Sequence, residues 1–385
     1  MIRVGFVFLN HDQDWLGGIN YYRSLLSAIE LLPNRCIEPV VFISNSAPEA
    51  FVRNFKNVEV VRTNLDYSVL PVKLICKGLK KLCSDRDYLL YRLLLRNRID
   101  VMSHSGFFWS GCKIKTIVWI PDFQHIHCPE FFSTSDQQKR NDVFSKLIKN
   151  SDSVIVSSKT AYTDLINFSP AEKNKGHVLR FVPEIKFFSE LNSKEAILGK
   201  YNFKLPYFFL PNQYWKHKNH DLVIEALAIL KKRGVGLTVI STGSFSDYRN
   251  PHHYDFIVNK INSLNLKNDY IILGVVPYED LLTLMRHAIA VINPSFFEGW
   301  STTVEEAKII NGSLLLSDIP VHREQAPKNG LYFDPNNPDD LANLMFDIVS
   351  GYCESQPNSP INEILYVESR LMFAQNYQEI VKSIF

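Results

Sequence analysis

Several features that would assign this sequence to a familiar class are missing. Its six cysteines form no Cys-x-x-Cys pair, and their irregular spacing indicates free thiols rather than disulfides or zinc ligands. The longest apolar runs, such as IRVGFVFL, have the length of a strand and fall far short of the roughly 20 residues of a membrane-spanning helix. The formal net charge is only +2, so the composition gives no reason to expect nucleic acid as a partner.

Two further absences argue against secretion and against nicotinamide-dependent chemistry. The first residues form a strand pattern rather than a secretion signal, and with the free thiols this predicts a cytoplasmic protein. The Gly-x-Gly-x-x-Gly fingerprint is also absent, which disfavours a nicotinamide oxidoreductase. What remains is the composition of a soluble globular protein, 46% hydrophobic and 21% charged, and a length of 385 residues that predicts two domains.

Short apolar runs alternate with amphipathic segments along the chain. Strands are predicted near residues 2–9, 40–44, 58–62, 100–103, 115–120 and 153–156, and again near 207–210, 237–241, 270–273, 288–292 and 313–316. Helical patterns lie between them, and a polar stretch at 192–204 divides the two series. This alternation predicts two α/β units, each with a doubly wound parallel sheet, followed by a terminal helix over 361–385.

Two carboxylates follow the strand that ends near Asn293. Glu298 lies in the loop, and Glu306 lies about one turn into the next helix, eight positions later. Ligands of open α/β sheets bind outside the carboxyl ends of the strands, so this pair predicts a site for a hydroxyl-rich small molecule. An acidic helix start favoured by the helix dipole explains the spacing equally well. Glu305 is predicted to be a solvated neighbour.

A basic turn opens the first helix of the second series. The residues are NQYWKHKNH at 212–220, and Lys216 and Lys218 create a local positive field there. Lys218, at the helix start, can meet a phosphate group that also binds helix N–H groups. The alternative is a solvated basic loop. His217 and His220 have no acidic or cysteine partner at metal-binding spacing, so we predict no metal site.

Two loops in the first half also follow strands. Gly17 and Gly18 open a helix, where their backbone can approach an anion, although a plain turn is the alternative. The sequence Asp-Gln-Asp at 12–14 is interpreted as solvated residues rather than a metal-binding Asp-x-Asp. After the strand KTIVWI, Asp122 and His125 are ionisable groups suited to proton handling or to binding an acceptor hydroxyl, and His127 lies close by.

The segment Lys73–Arg98 is basic and helical in pattern. It carries eight Lys or Arg residues against Asp85 and Asp87, with Leu, Ile and Tyr interleaved. Such a segment suits contact with an anionic membrane surface. The alternative is a helix packed on its own sheet with a basic solvent face.

Taken together, these motifs resemble the retaining glycosyltransferases of family four, of the bacterial polysaccharide and lipopolysaccharide type. The resemblance rests on FEGWSTTVEEA as the Glu-x7-Glu motif and NQYWKHKNHDLVIEAL as the phosphate-binding lysine turn, followed in order by GVVPYEDLLTLMRHA, SDIPVHREQA and FDP. The Gly-Gly loop, IPDFQHIHCPEFFS and VSSKTAYTDL match in the first half. It implies the α/β GT-B fold: two Rossmann-like domains facing a cleft, an acceptor domain at 1–190 and a donor domain at 191–365, with a helix at 366–385 packing back on the first.

The resemblance also implies roles for residues. Glu306 would bind the ribose hydroxyls of a sugar nucleotide, Glu298 would lie near the donor sugar, and Lys218 would neutralise the diphosphate. Asp122 and His125 join Glu298 as the candidate catalytic groups. The implied donor-binding residues are Gly17, Gly18, Gln213, Lys216, Lys218, Gly243, Val276, Pro277, Gly299, Trp300, Ser301, Thr302 and Glu306.

Two positions depart from the family pattern. Gln213 stands where the family usually has an arginine, and Lys216 is a candidate for the missing charge. Pro121-Asp122 stands where the family has a histidine-aspartate pair, and His125 is a candidate for the histidine's place. No residue stands out as a covalent nucleophile, and a front-face displacement needs none.

We therefore predict a retaining, metal-independent glycosyltransferase without a cofactor. It would move a hexose or deoxyhexose, with mannose or rhamnose favoured, from a nucleotide diphosphate sugar to a hydroxyl of a growing glycan or lipid-linked acceptor. The predicted place is the cytoplasm, at the inner face of the plasma membrane. A GT-B sugar-nucleotide epimerase and a non-catalytic nucleotide-sugar binding module stay open as alternatives.

Overall fold

The computed structural model describes residues 1–9, 16–55, 57–66, 87–109, 111–185, 193–203, 206–310, 312–351 and 363–385. The chain forms two compact units. The first unit comprises Met1–Phe123, Gln138–Glu184 and Val367–Phe385. The second unit comprises Gln124–Gln137 and Ile185–Tyr366, so a short segment from the first half of the chain belongs to it.

The first unit is built on a parallel sheet. Its strands are β1 (Ile2–Phe8), β2 (Ile37–Ser44), β3 (Glu59–Thr63), β4 (Val101–Ser103), β5 (Lys115–Ile120), β6 (Ser153–Val156) and β7 (Gly176–Val178). They lie in the order β3-β2-β1-β4-β5-β6-β7, and every pairing is parallel. From β1 to β3 the strands are added on one side, and from β4 to β7 they are added on the other side, as in a doubly wound fold.

The second unit repeats this plan. Its strands are β8 (Phe208–Leu210), β9 (Val239–Thr242), β10 (Tyr270–Gly274), β11 (Val291–Asn293), β12 (Leu314–Ser317) and β13 (Gly330–Phe333). They lie in the order β10-β9-β8-β11-β12-β13, again all parallel. The order reverses between β8 and β11, so the loops that follow these two strands leave the sheet side by side.

Helices connect the strands. In chain order they are α1 (Leu16–Ile29), α2 (Glu49–Val52), α3 (Tyr88–Arg96), α4 (Gln124–His127), α5 (Thr134–Asn150), α6 (Lys159–Phe168), α7 (Lys194–Tyr201), α8 (His220–Lys232), α9 (His253–Ser263), α10 (Tyr278–His287), α11 (Thr302–Ile309), α12 (Pro320–Gln325), α13 (Pro338–Ser350) and α14 (Glu363–Lys382). None of the helices in the described residues is long and apolar enough to cross a membrane.

Both faces of the second sheet are buried, which explains its continuous apolar strands. Phe208 and Leu210 point into one hydrophobic cluster, while Tyr207 and Phe209 point into the other. Successive side chains of a strand point to opposite faces, so a strand with helices on both sides has to be apolar at every position. The predicted α/β class with two doubly wound parallel sheets is confirmed.

Several elements were not predicted from the sequence. The edge strands β7 and β13 have partly exposed residues, so they lack the apolar run that marks a buried strand. Helix α7 lies inside the stretch that the sequence suggested as a polar separator. The short helix α12 lies within the segment SDIPVHREQA, for which no helix is predicted, and it packs beside α11.

The terminal helix α14 belongs to the first unit from Val367 onward. Tyr377 donates a hydrogen bond to Ser103 Oγ at 2.8 Å, and Gln378 Oε1 accepts one from the backbone of Cys36 at 2.8 Å. Of the cysteines in the described residues, Cys36, Cys112 and Cys128 are free thiols, as predicted.

Candidate functional site

The loops after β8 and β11 meet at the point where the order of the second sheet reverses. Lys218 ends a 3₁₀ turn, Lys216–Lys218, and its Nζ lies 2.6 Å from Glu298 Oε1. The two side chains are only 16% and 9% exposed. The topology therefore joins the basic turn and the first carboxylate of the Glu-x7-Glu motif, 80 residues apart in the chain, into one ion pair.

The carboxylate of Glu298 is held by a small polar network. Ser295 Oγ lies 2.7 Å from Glu298 Oε1 and 2.8 Å from Asn293 Oδ1, both acceptors for its hydroxyl. Ser317, at the end of β12, donates to the backbone carbonyl of Ser295 at 2.6 Å. Asn293, Ser295 and Ser317 are buried, so the network fixes the loop after β11 against the neighbouring strand.

The start of α11 is tied to the same network. Ser301 is its N-cap residue, and Ser301 Oγ accepts hydrogen bonds from the backbone of Val304 at 3.4 Å and from Asn293 Nδ2 at 2.8 Å. Asn212, which follows β8, donates to Asn293 Oδ1 at 3.1 Å. The first turn of α11 thus lies in a fixed position beside Glu298, with its N–H groups at the positive end of the helix dipole.

The basic turn has an unusual backbone that a side chain stabilises. Asn219 has a left-handed conformation with φ of 55°, and it precedes α8. Its Nδ2 donates to the carbonyls of Pro294 at 3.1 Å and Pro335 at 2.9 Å. The backbone of Phe296 donates to the carbonyl of His217 at 2.9 Å. The loops that carry Lys218 and Glu298 therefore form one unit.

Glu306 is buried on α11 beside this unit. Tyr278 donates a hydrogen bond to Glu306 Oε1 at 2.8 Å. Burial raises the pKa of Glu306 from 4.5 to about 7, and the hydrogen bond from Tyr278 opposes this shift. The side chain is only 8% exposed, which suits a carboxylate that exchanges hydrogen bonds with ligand hydroxyls in a sheltered place.

The prediction for Glu305 was wrong. Its side chain is buried rather than solvated, and Glu305 Oε1 accepts hydrogen bonds from Gln325 Nε2 at 2.8 Å and from Lys308 Nζ at 3.1 Å. Gln325 also donates to the carbonyl of Ser301 at 2.9 Å. The error follows from α12, which was not predicted and which covers this side of α11.

His322 is a further residue of this region that the sequence did not single out. It lies on α12 and is fully buried. Its Nδ1 is 2.9 Å from the carbonyl of Ser317 and 3.2 Å from Ser317 Oγ. Burial lowers the pKa of His322, and the charges of Glu298 and Lys218 act on the ring in opposite directions. The imidazole is therefore neutral at physiological pH.

The other predicted donor-binding residues of the second unit lie in the loops after β8, β9, β10 and β11. Gly243 follows β9 with φ of +143°, and a Cβ there would lie 2.4 Å from the carbonyl of Asn212, so only glycine fits. Pro277 is the N-cap of α10, and Val276 beside it is partly buried. The carbonyl of Gln213 accepts a hydrogen bond from His220 Nε2 at 3.1 Å.

Between Glu298 and Ser301, Gly299 and Trp300 continue the loop, and Thr302 is the first residue of α11. Because these residues follow Glu298 directly in the chain, and Glu298 is paired with Lys218, they lie beside the Lys218 turn.

A buried arginine lies next to the basic turn and was missed from the sequence. Arg249 contacts Asp247 Oδ1 through its Nε at 3.4 Å and donates to Gln124 Oε1 at 3.0 Å. Its guanidinium lies 5.3 Å from the ring of Trp215 and 4.9 Å from that of Phe132. Gln124 and Arg249 are 125 positions apart, and no spacing in the sequence signals this contact.

The segment Gln124–Gln137 packs against both loops of the site. His127 stacks on Phe297 with ring centroids 5.2 Å apart, and Phe131 lies 6.4 Å from Phe296. Lys216 Nζ is 5.7 Å from the Phe131 ring. His125 is buried within this segment, in the second unit, whereas Asp122 belongs to the first unit.

The remaining predicted residues belong to the first unit or lie outside the described residues. Gly17 and Gly18 are in the first turn of α1, in the first unit, and the Asp-Gln-Asp sequence at 12–14 lies outside the described residues. Of the basic segment Lys73–Arg98, only residues 87–98 are described, with α3 at their centre. Within the part of the chain that the structure describes, no three His, Cys, Asp or Glu residues are grouped as a metal site would require.

Comparison with known proteins finds similarity to a described family in the second half of the chain. Residues 193–362 match the model of the family described as glycosyl transferases group 1. The O-antigen chain mannosyltransferase RfbU of Salmonella typhimurium is 28% identical over 150 residues, which are 39% of this chain and 40% of that protein. The match thus spans well under half of the length of this curated relative.

Solved structures show the same fold over the whole chain. A glycosyltransferase from Rickettsia africae has a TM-score of 0.67 at 16% identity, with 99% of each chain covered. Anabaena HepE, solved in complex with UDP and glucose, has a TM-score of 0.69 at 15% identity, with 100% of each chain covered. The resemblance stated from the motifs and the predicted GT-B fold are both confirmed.

Proposed function

We propose that this chain, which shares the GT-B fold and matches the group 1 glycosyl transferases over residues 193–362, is a retaining, metal-independent glycosyltransferase. It moves a hexose or deoxyhexose from a nucleotide diphosphate sugar to a hydroxyl of a growing glycan or lipid-linked acceptor. The observation that carries the proposal is the sheltered Lys218–Glu298 pair at the reversal of the second sheet, next to the start of α11.

Lys218 and the first turn of α11 would stabilise the leaving group. Negative charge grows on the nucleoside diphosphate as its bond to the sugar breaks. A fixed ammonium group and N–H groups at a helix start stabilise that charge, since they need no reorganisation during the reaction. Lys218 is held by Glu298 before the donor binds, so its position is already set. This arrangement supplies the electrostatic help that a metal ion gives in other enzymes.

The two carboxylates would hold opposite ends of the donor. Glu306, beside Tyr278, would accept hydrogen bonds from the ribose hydroxyls. Glu298 would bind the sugar while it remains next to Lys218. Support for a nucleotide-sugar donor comes from HepE, whose structure contains UDP and glucose. Support for mannose comes from RfbU, an O-antigen chain mannosyltransferase.

The chemical step would be a front-face displacement. The bond from the anomeric carbon to the phosphate oxygen breaks, the acceptor oxygen forms a bond to the same face of that carbon, and the acceptor proton passes to the departing phosphate. The configuration is then retained without a covalent nucleophile. Asp122 and His125 are proposed as the further groups that position the sugar and the acceptor.

Turnover of defined donors tests the proposal. We expect the purified protein to release nucleoside diphosphate from one of GDP-mannose, dTDP-rhamnose and UDP-glucose, equally well with EDTA, and to form a product with the anomeric configuration of the donor. Lys218→Met should lower kcat by about 10²–10³-fold, the range seen when one charge-stabilising donor is removed. Lys231→Met, at the exposed far end of α8, is the matched control and should be fully active.

Other outcomes of the same assay would replace the proposal. Conversion of the donor to its epimer without an acceptor would indicate an epimerase. Binding without turnover of any donor would indicate a nucleotide-sugar binding module.

Peripheral contact with an anionic membrane through Lys73–Arg98 is part of the proposed role. Flotation with vesicles containing anionic lipid, and its loss when Arg92 and Arg96 are replaced by Gln, would test that contact.

A further inference from the structure

The loop between β9 and α9 carries a large exposed aromatic side chain. Phe245 follows the end of β9 by three residues and is 42% exposed. Its ring is nevertheless held in place, because it stacks on Tyr254 of α9 with centroids 4.2 Å apart and planes 25° apart. A ring that neighbouring side chains already fix loses little conformational freedom when a ligand covers it.

One face of the Phe245 ring is open. Tyr254 covers one face, and the centroid of the Tyr214 ring lies 5.5 Å from that of Phe245 and 5.3 Å from that of Tyr254. These nearly equal distances place Tyr214 beside the stacked pair, since a ring on the outer face of Phe245 would lie much farther from Tyr254 than from Phe245. The exposed surface of Phe245 is therefore the face turned away from Tyr254.

The tip of the same ring lies against the start of the loop after β10. A Cβ at Gly274 would be 3.1 Å from Phe245 Cζ and 3.7 Å from its Cε2. The backbone of Gly243 donates a hydrogen bond to the carbonyl of Gly274 at 2.9 Å, so the loops after β9 and β10 are joined where they leave the sheet. The open ring thus lies at the carboxyl ends of these two strands, the edge at which open α/β sheets bind ligands.

The loop after β10 leads to the carboxylate proposed for the ribose. Tyr278, four residues after Gly274, donates a hydrogen bond to Glu306 Oε1 at 2.8 Å. Four residues span at most about 14 Å, and β10 lies two strand spacings, about 10 Å, from β8, which precedes the Lys218 turn. A nucleotide whose phosphates meet Lys218 and whose ribose meets Glu306 therefore extends its base toward the ends of β9 and β10.

The open face of Phe245 suits a flat group with a π system. A charged phosphate would lose hydrogen bonds to water against this face, and the transferred sugar is proposed beside Glu298, after β11. A nucleobase is planar, and every base gains from stacking on an aromatic side chain. We propose that Phe245 stacks on the nucleobase of the donor and holds it beside the loop after β10. The inference rests on the proposed function, because it requires a nucleotide in this site.

Three variants test the contact. Phe245→Leu keeps an apolar side chain without the flat face, and Phe245→Ala removes both. Phe256→Ala is the matched control, since Phe256 is 51% exposed and lies two positions after Tyr254 on α9, on the side of the helix turned away from Phe245. Calorimetry measures the binding of UDP, GDP and dTDP, with inorganic pyrophosphate, which has no base, as a competitor. Thermal unfolding without ligand shows that each variant is folded.

We expect Phe245→Ala to bind the nucleotide that the native protein prefers about tenfold more weakly, the usual effect of losing one stack between a base and an aromatic ring. Phe245→Leu should also bind it more weakly, and Phe256→Ala should bind it as the native protein does. The affinity for pyrophosphate should agree within about twofold among all four proteins, because the diphosphate site is separate from Phe245. The ring current of Phe245 should shift the proton resonances of the bound base upfield, and Phe245→Leu should abolish this shift.

Other results overturn the inference or the function on which it rests. If Phe245→Ala binds the nucleotide as tightly as the native protein, or binds pyrophosphate more weakly by the same factor as the nucleotide, Phe245 does not stack on the base and the inference fails alone. An upfield shift that persists in Phe245→Leu has the same meaning. If the native protein binds none of the three nucleotides, the inference and the proposed function fail together.

Discussion

Replacing Glu306 by glutamine should make the ligand-free protein more stable, with a gain that grows between about pH 4.5 and 7 and remains above that range. The pKa of Glu306 is raised from 4.5 to about 7 because the carboxylate is buried. Between these two values the folded protein binds more protons than the unfolded chain, so stability falls as the pH rises from about 4.5 to 7 and stays low above that range. Glutamine keeps the shape and the oxygen that accepts from Tyr278.

The size of the effect follows from the pKa. A difference of one in pKa corresponds to about 1.4 kcal/mol, so the buried ionised carboxylate costs about 3 kcal/mol at pH 8.5. Most of this cost is absent at pH 5, where the folded form is protonated. For a unit of this size, the corresponding rise in Tm for Glu306→Gln is roughly 5–10 °C at pH 8.5.

Thermal unfolding of the native protein and Glu306→Gln at pH 5.0 and 8.5 measures this difference. Glu279→Gln, at an exposed position one residue after Tyr278, controls for the loss of a negative charge. A rise in Tm that is equal at both pH values, or a variant less stable than the native protein at pH 8.5, would refute the reasoning. The site would then hold Glu306 ionised without cost.

Further predictions concern the groups around the site. Asp247→Ala leaves the buried Arg249 guanidinium without its carboxylate and should cost about 3–5 kcal/mol in the free energy of unfolding, measured in urea; a cost below 1 kcal/mol would mean that the pair is solvated. Gly243→Ala should abolish the thermal stabilisation by nucleoside diphosphates, since its Cβ would displace the loop after β8; unchanged stabilisation would contradict that geometry. Tyr278→Phe removes a hydrogen bond that lowers the pKa of Glu306, so the pKa of Glu306 should rise further. The pH at which the free energy of unfolding stops falling should then be higher than in the native protein. A lower pH for that end point would exclude this contact.

Local sequence patterns were sufficient for the strands that carry the site. The strands before Asn212 and Asn293 are buried on both faces of the sheet, so they stand out in the sequence as continuous apolar runs, and no knowledge of their neighbours is needed to recognise them. Because parallel strands end at a common edge, the loops of Lys218 and Glu298 were predicted to lie at the ligand end. Their direct pairing at 2.6 Å depends on strand order, which the pattern alone does not contain.

What the sequence could not show are the contacts between distant segments. The burial of Glu305 depends on Gln325, and the position of Arg249 depends on Gln124 from the first half of the chain. His322 lies within the segment SDIPVHREQA, whose sequence does not show that the side chain is buried and that its Nδ1 contacts the carbonyl of Ser317 at the end of β12. Such contacts follow from tertiary packing, which overrides the local preference for solvent.

The central claim is that the edge of the second sheet binds a nucleoside diphosphate through Glu306. Calorimetric titration of UDP, GDP and dTDP into the native protein, Glu306→Ala and Glu279→Ala tests it most directly. We predict that at least one nucleotide binds the native protein and Glu279→Ala alike, and that Glu306→Ala binds it at least about tenfold more weakly, as expected for a lost charged acceptor. Unchanged affinity in Glu306→Ala, or no binding of any of the three to the native protein, would contradict the claim.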